Sequence, residues 1–462
     1  MRRLSLCFIL ILSLSTLAGQ PDKKGSQVPD GLKALQHPDP LVRYKAAGVL
    51  ARLGKTGKFA IPELRAALKD KDVRVRIKVA EALWKVEKPP ASVILPVLLA
   101  AFKDKTPSVR AAVPGVIALL GPKARPALPA LKKALTDKDL DVRMETILAL
   151  GELGPVAVEC APALLQLTGT VELLLLEPMI SVTLGNMGAG ATPSLVNALG
   201  RKEFEARRMA AYALGLIGPQ ARDAAPALCK VLEDTEPSVR AQAAQALGKI
   251  GKDAADGLPA LRKALTDKND SVAIEAGLAL WRVAGVRDGV PVIVRALKMS
   301  GEDFIRESAC KALAQIGDGG DEAQAALLAG LTDAGAVVRA AAADALARVP
   351  PSKTVLKALT KALSDKEIQV QLSVVRALGK DAATVPGTLA VLHKALRHED
   401  SAIRIRAANS IEGLAGLSPE QTKSLVAALI DALEDDYRNV QVAAARALKK
   451  IDPRAAARAG IR

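Results

Sequence analysis

LPALKKALTDKDLDVRMETILALGELG, residues 128–154, reads as two helices joined by an acidic turn. Pro129 stands near the start of the first helix, where a missing N–H costs little. The turn around Asp137 leads into a second helix that ends at Gly154, and Pro155 prevents its continuation.

Sliding this stretch along the chain finds it again in both directions. Arg143 falls in register with Arg43, Arg76, Arg110, Arg207, Arg240, Arg306, Arg339 and Arg404, while Glu177, Ala273, Gln371 and Gln441 occupy the same column. Neighbours in the column are 30 to 37 residues apart, most often 33, which makes thirteen repeats from about Val28 to the C-terminus. Pro62, Pro96, Pro193, Pro226 and Pro259 recur fourteen residues before the column, as Pro129 does. Counted from the column, apolar residues at +3, +7 and +10 of the second helix, such as Ala243, Leu247 and Ile250, form a helical stripe.

Six residues before the column stands Asp70, Asp104, Asp137, Asp234, Asp267, Asp333, Asp365 or Asp435. An Asp ending one helix and an Arg in the first turn of the next invite a ladder. Arg76, Arg110, Arg143, Arg240 and Arg339 can each bridge the Asp of their own or of the neighbouring repeat. Regular recurrence marks these residues as structural, because a catalytic site needs a unique constellation. VELLLLEP, residues 171–178, breaks the pattern: Val171 takes the Asp position and Glu177 the Arg position, a local change in how repeats join.

Phrases such as LEDTEPSVRAQAAQALGKIG (232–251) and LTDKDLDVRMETILALGELG (135–154) resemble HEAT repeats, specifically the HEAT-like repeats first associated with phycobilisome lyase subunits. The resemblance implies an all-α fold, a right-handed α-solenoid of about thirteen HEAT-like hairpins over residues 28–462, with second helices lining the concave side. Half the residues are hydrophobic but only 2% aromatic, a composition that independently favours closely spaced helices.

The same resemblance brings two enzyme readings, a phycobilin lyase subunit and a deoxyhypusine hydroxylase-like oxidoreductase. The hydroxylases bind iron through several His-Glu pairs at the start of second helices. Here a single pair, His398-Glu399, lies in a turn, His37 takes the equivalent turn position, and His393 lies in a first helix. No Cys, His or Tyr cluster suits a tetrapyrrole, and Cys160, Cys229 and Cys310 form no ligand-spaced pair. No catalytic residue, metal ligand or cofactor is therefore assigned.

MRRLSLCFILILSLSTLAG, residues 1–19, reads as a secretory signal peptide: Arg2 and Arg3 precede an apolar run from Leu4 to about Leu17. Residues 20–27 follow as a short linker. Export to the periplasm or the extracellular space is expected, with tethering by an uncleaved signal as the alternative. No later apolar segment is expected to span a bilayer.

The chain carries 65 Lys+Arg against 49 Asp+Glu, and the excess is concentrated early, with 27 basic and 15 acidic residues through Cys160. That basic N-terminal third can attract an acidic protein, polymer or membrane surface. Single-strand nucleic-acid recognition normally adds stacking aromatics. Trp84 and Trp281 instead occupy +8, a column that Gly fills in several repeats, and read as core, so nucleic acid is not the expected partner.

At 100° per residue, +2, +5 and +9 point away from the stripe. In the first two repeats these positions are mainly basic: Lys45 and Arg52, then Lys78 and Lys85 with Glu81 between. From the third to the sixth repeat they include Leu119, Leu148, Met179, Val182, Met209, Tyr212 and Leu216. Apolar side chains at solvent-facing columns form a candidate partner-binding strip, in which Met suits adaptable contacts. The sequence therefore describes an exported scaffold that grips a protein partner on its concave face, without catalysis.

Overall fold

A computed structural model describes residues 32–461 apart from 168–172, 318, 350–351, 379–382, 384 and 386, with backbone only at 173–175. The expected signal peptide, linker and start of the array, and the leading residues of VELLLLEP, lie outside the described residues.

Among the described residues every regular element is helical. The second helices, one per repeat, are α1 (Pro40–Leu53), α2 (Val73–Val86), α3 (Pro107–Ala118), α4 (Leu140–Leu153), α5 (Leu173–Asn186), α6 (Phe204–Ile217) and α7 (Pro237–Ile250). They continue with α8 (Asp270–Ala284), α9 (Asp303–Ile316), α10 (Ala336–Leu346), α11 (Ile368–Leu378), α12 (Ser401–Glu412) and α13 (Arg438–Ile451). The turn residue before several of these helices caps the start: the side chains of Asp39, Asp72, Asp139, Asn269 and Asp400 accept N–H bonds from the first turn. Such a cap stabilises by about 1 kcal/mol. At the far end Gly154 adopts φ 54°, a conformation that other residues resist, and the chain turns into a short 3-10 segment, Gly154–Cys160, before the next first helix.

The apolar stripe forms the core. At +7 every repeat carries Leu or Ile, from Leu50 to Leu448, and none is more than 5% exposed. Each such burial is worth about 1.5–3 kcal/mol, and stacking supplies the cover that one hairpin lacks. The result is an α-solenoid. Among the described residues packing divides it into two compact bodies, one within 32–167 with 174–187 and the other 173 with the described part of 188–461. By length and composition alone one stretch among the described residues, Leu140–Gln166, meets the requirement for a membrane span, against the sequence expectation. It is α4, a 3-10 segment and a short first helix run together, half of it is buried in the array, and it reads as core.

The polar ladder links each repeat forward. In the second body, Arg240 Nε and Nη2 donate to Asp267 Oδ2 and Oδ1 at 2.7 and 2.8 Å, while Nη1 donates 2.8 Å to the carbonyl of Asp234. The neighbouring repeat thus supplies the carboxylate, and the home repeat supplies a turn carbonyl. Arg207–Asp234, Arg306–Asp333, Arg339–Asp365 and Arg404–Asp435 repeat the geometry there, as Arg43–Asp70 and Arg110–Asp137 do in the first body. Each Asp also closes its own turn: Asp267 Oδ1 accepts the N–H of Asn269 at 2.8 Å. His37 and His398 do the same through Nδ1, accepting the N–H bonds of Asp39 and Asp400 at 3.1 and 3.0 Å.

The Arg–Asp pairing does not run through every joint: ahead of Arg143 the sequence places Val171 in the Asp position. Arg76 donates 2.6 Å to the Asp70 carbonyl, yet among the described residues it forms no ion pair with Asp104. Ala273 and Gln371 replace the Arg of repeats 8 and 11, and the following Asp positions hold Ser300 and His398. In repeat 5 the sequence places Glu177 in the Arg column and Arg201 in the next Asp position. At the joints α2–α3, α8–α9 and α11–α12 the second helices touch along less of their length than at α1–α2, α3–α4, α6–α7, α7–α8, α9–α10, α10–α11 and α12–α13.

Candidate binding cleft on the second-helix face

Column +8 governs how closely second helices approach. A Cβ on Gly248 would lie 3.0 Å from Ala279 Cα, and one on Gly215 would lie 3.2 Å from Ala246 Cα, so α6, α7 and α8 stack nearly backbone to backbone. In repeat 2 the same column holds Trp84, which is 7% exposed and donates its indole N–H to the Leu119 carbonyl at 2.7 Å. Trp84 is a wedge between α2 and the end of α3. Trp281 does not match it in burial, being only half-buried, with the Arg287 guanidinium 5.9 Å from the ring centre.

Nearer the N-terminal ends of the same helices the first body opens a cleft of about 290 Å³ over α1, α2 and α3. Leu41, Tyr44, Ile77, Val109, Ala112 and Val116 give it an apolar lining, with Arg74, Asp72, Lys78 and Glu81 around it. Lys78 Nζ lies 5.2 Å from the Tyr44 ring centre, a cation–π distance that ties the ring to the wall. Glu81 accepts from both Lys78 at 2.7 Å and Lys85 at 2.6 Å. Burial pushes the Glu81 carboxyl up, but hydrogen bonds from the two lysines bring it below the usual carboxylate range. The Lys78 ammonium, which burial opposes, is raised by Glu81. On the other edge the hydrogen bond from Arg74 holds Asp72 down at about 2. Of the four basic residues expected on this face, Lys78 and Lys85 are thus engaged with Glu81, whereas Lys45 and Arg52 are exposed.

Further along the first body, Leu119, Leu148 and Val182 are 41%, 38% and 47% exposed on three successive repeats, and Met179 is half-buried. Met209, expected on the same strip, is fully buried and is removed from it. Its helix, α6, packs closely along α7 at Gly215, and that approach encloses a +2 side chain. Tyr212 and Leu216 belong to the second body; Leu216 is 39% exposed, and Lys249 Nζ sits 5.4 Å from the Tyr212 ring centre.

The second body carries a polar group of its own. Gln242 donates to Gln245 at 2.9 Å, and Gln245 approaches Glu275, whose Oε2 is buried without a hydrogen-bond partner. Burial raises the Glu275 carboxyl and lowers the Lys249 ammonium. Only the polarity of these positions was readable from the columns. Burial also pushes the Cys160 and Cys310 thiols up to about 11 and about 12, which keeps both neutral. Among the described residues no group of three or more His, Cys, Asp or Glu is placed to hold a metal ion.

The sequence matches the family described as HEAT repeats over residues 28–113, 95–172, 192–281, 258–347 and 356–429. The chain belongs to the HEAT-repeat family. The match does not single out the phycobilisome lyase type. Among solved structures this HEAT-repeat chain is similar to Kap121p, with 14% identity and a TM-score of 0.61 over 94% of this chain and 58% of that one. Kap121p bound to Pho4p gives 14% identity and 0.61 over 96% and 59%, and Kap121p bound to Nup53p gives 14% and 0.61 over 96% and 58%. The chain thus spans under three fifths of those solved chains, and the likeness is one of fold. No curated protein matches the sequence.

Proposed function

We propose that this HEAT-repeat protein is an exported scaffold that holds a protein partner on its second-helix face and performs no chemistry of its own. The observation that carries the reading is the exposure of Leu119, Leu148 and Val182 at outward positions of successive repeats, in a chain that buries its Leu and Ile at every +7. Apolar side chains presented in sequence by a repeat array mark an interaction surface. The Kap121p structures with Pho4p and Nup53p support it, since the same fold there holds a protein. The basic N-terminal third favours a partner with an acidic surface, and export rests on residues 1–19.

Crosslinking with mass spectrometry in the native compartment tests the reading. The triple variant Leu119→Asp, Leu148→Asp, Val182→Asp should lose the crosslinked partner while far-UV circular dichroism stays unchanged. Undiminished partner recovery would overturn the assignment of this face. A metal or chromophore bound stoichiometrically to the purified protein would instead revive the enzyme reading. Cell fractionation should find the chain outside the cytoplasm, shortened near Ala18 or Gly19; a full-length cytoplasmic chain contradicts export.

A further inference from the structure

We propose that the cleft over α1, α2 and α3 docks an acidic segment of a partner protein, one large apolar side chain entering the cleft and flanking carboxylates meeting the basic residues of repeats 1 and 2. The inference rests on the scaffold reading and adds to it the place and chemistry of one contact.

Three observations converge on it. The cleft lies where the ladder is interrupted: Arg76 forms no ion pair with Asp104 among the described residues, so no bridge draws α3 toward α2. At the C-terminal end of the same joint Trp84 stands between α2 and α3, fixed by its 2.7 Å bond to the Leu119 carbonyl. The opening is therefore built into the packing and exists before any ligand arrives, which lowers the cost of binding.

Its size and lining select the kind of occupant. About 290 Å³ is at the bottom of the range of about 300–1,000 Å³ for small-molecule sites. It suits a side chain delivered by a peptide better than a whole cofactor. Tyr44, Ile77, Val109 and Val116 offer an apolar and aromatic floor, which a polyphosphate backbone cannot use.

The charge selects the segment's sign. At the outward positions of repeats 1 and 2, Lys45, Arg52, Lys78 and Lys85 face a single carboxylate, Glu81. Glu81 is shared by Lys78 and Lys85, and among the described residues no ion pair occupies Lys45 or Arg52. Asp72 and Arg74 cancel each other at 2.6 Å. The charges that line the cleft thus cancel in pairs, and the excess lies on exposed Lys45 and Arg52 of the same face, complementary to carboxylates flanking an apolar anchor.

The test uses the purified full chain and two fluorescein-labelled twelve-residue peptides. One has a central tryptophan flanked by glutamates; its twin has lysine for every glutamate. Fluorescence anisotropy should show saturable binding of the acidic peptide, at least about tenfold tighter than the twin and weakened by added salt. Ala112→Trp, which fills the cleft from an exposed position, should abolish binding with helicity and melting temperature retained. Lys45→Glu with Arg52→Glu should weaken it about tenfold. Equal affinity for both peptides, no binding, full binding to the Ala112→Trp variant, or equal competition by inorganic polyphosphate would each overturn the proposal. If the peptides fail while the Leu119, Leu148 and Val182 variant still loses its partner, the cleft is wrong and the scaffold stands. If that variant also retains its partner, the scaffold reading itself fails.

Discussion

Arg240 does two jobs with one guanidinium. Its fork closes on the Asp267 carboxylate of the next repeat, and its remaining nitrogen pins the carbonyl of Asp234 in its own turn. Replacing Arg240 with Ala leaves Asp267 largely buried without its counter-ion, which should cost about 2–3 kcal/mol in chemical denaturation. Arg240→Ala together with Asp267→Ala should cost less than the sum of the two single changes. The hydrogen bond from Arg240, offset in part by burial, holds the Asp267 carboxyl below the usual range, so its folded pKa is depressed. Stability from this pair is therefore fully present above the unfolded carboxylate value of about 3.9 and is lost as pH falls through the lower folded value. Melting curves from pH 6 downward should show a shallower acid loss in the Arg240→Ala variant than in the parent. Both partners were legible as recurring columns. Which Asp each Arg reaches was not, because an own-repeat pair and a neighbour pair have the same periodicity, and only the stacking geometry decides between them.

Helices are set apart or drawn together by the residue at +8. At Gly248 an added methyl meets Ala279 Cα at 3.0 Å, a backbone atom that cannot swing aside. Gly248→Val should therefore destabilise the α7–α8 joint by about 1–3 kcal/mol through overpacking, read from denaturant unfolding. Trp84→Ala removes a wedge and a hydrogen bond together, and large aromatic truncations in cores cost about 3–5 kcal/mol. It should also collapse the cleft, so the acidic peptide binds the variant poorly even under conditions where the variant stays folded. Periodicity within one helix foretold the buried +7 positions and set Leu119, Leu148 and Val182 on outward columns, while their exposure came only from the packed array. Distances between helices were beyond its reach, which explains both the misplaced Met209 and the unforeseen cleft. Alternation of Gly and Trp at +8 was visible in the sequence, but as core substitution; its meaning as a spacer depends on what the next helix presents.

For the array as a whole, nearest-neighbour contacts carry the stability, so weak joints matter more than average ones. Amides flanking the α2–α3, α8–α9 and α11–α12 joints should exchange with deuterium earlier than those flanking α6–α7 and α7–α8, where two consecutive bridges and close glycine contacts coincide. Uniform exchange along the array would contradict this. The number of repeats, their boundaries and the family were legible from the columns, since a motif written thirteen times averages out local irregularity. The interruptions were visible as missing letters, and their consequence for packing was not.

Missing bridges after repeats 8 and 11 give the second body a mechanical grammar. Pulled from its two ends, an array with identical joints would lengthen one repeat at a time. This one should yield first where no Arg–Asp bridge resists, and then release groups of three repeats together. The column positions 273 and 371 set such a group at about 100 residues, or on the order of 330 Å of extended chain per step. Optical-trap records with steps of that size would be the signature of a protein that stretches in stanzas, whereas even steps of a single repeat would show that the missing bridges carry no load.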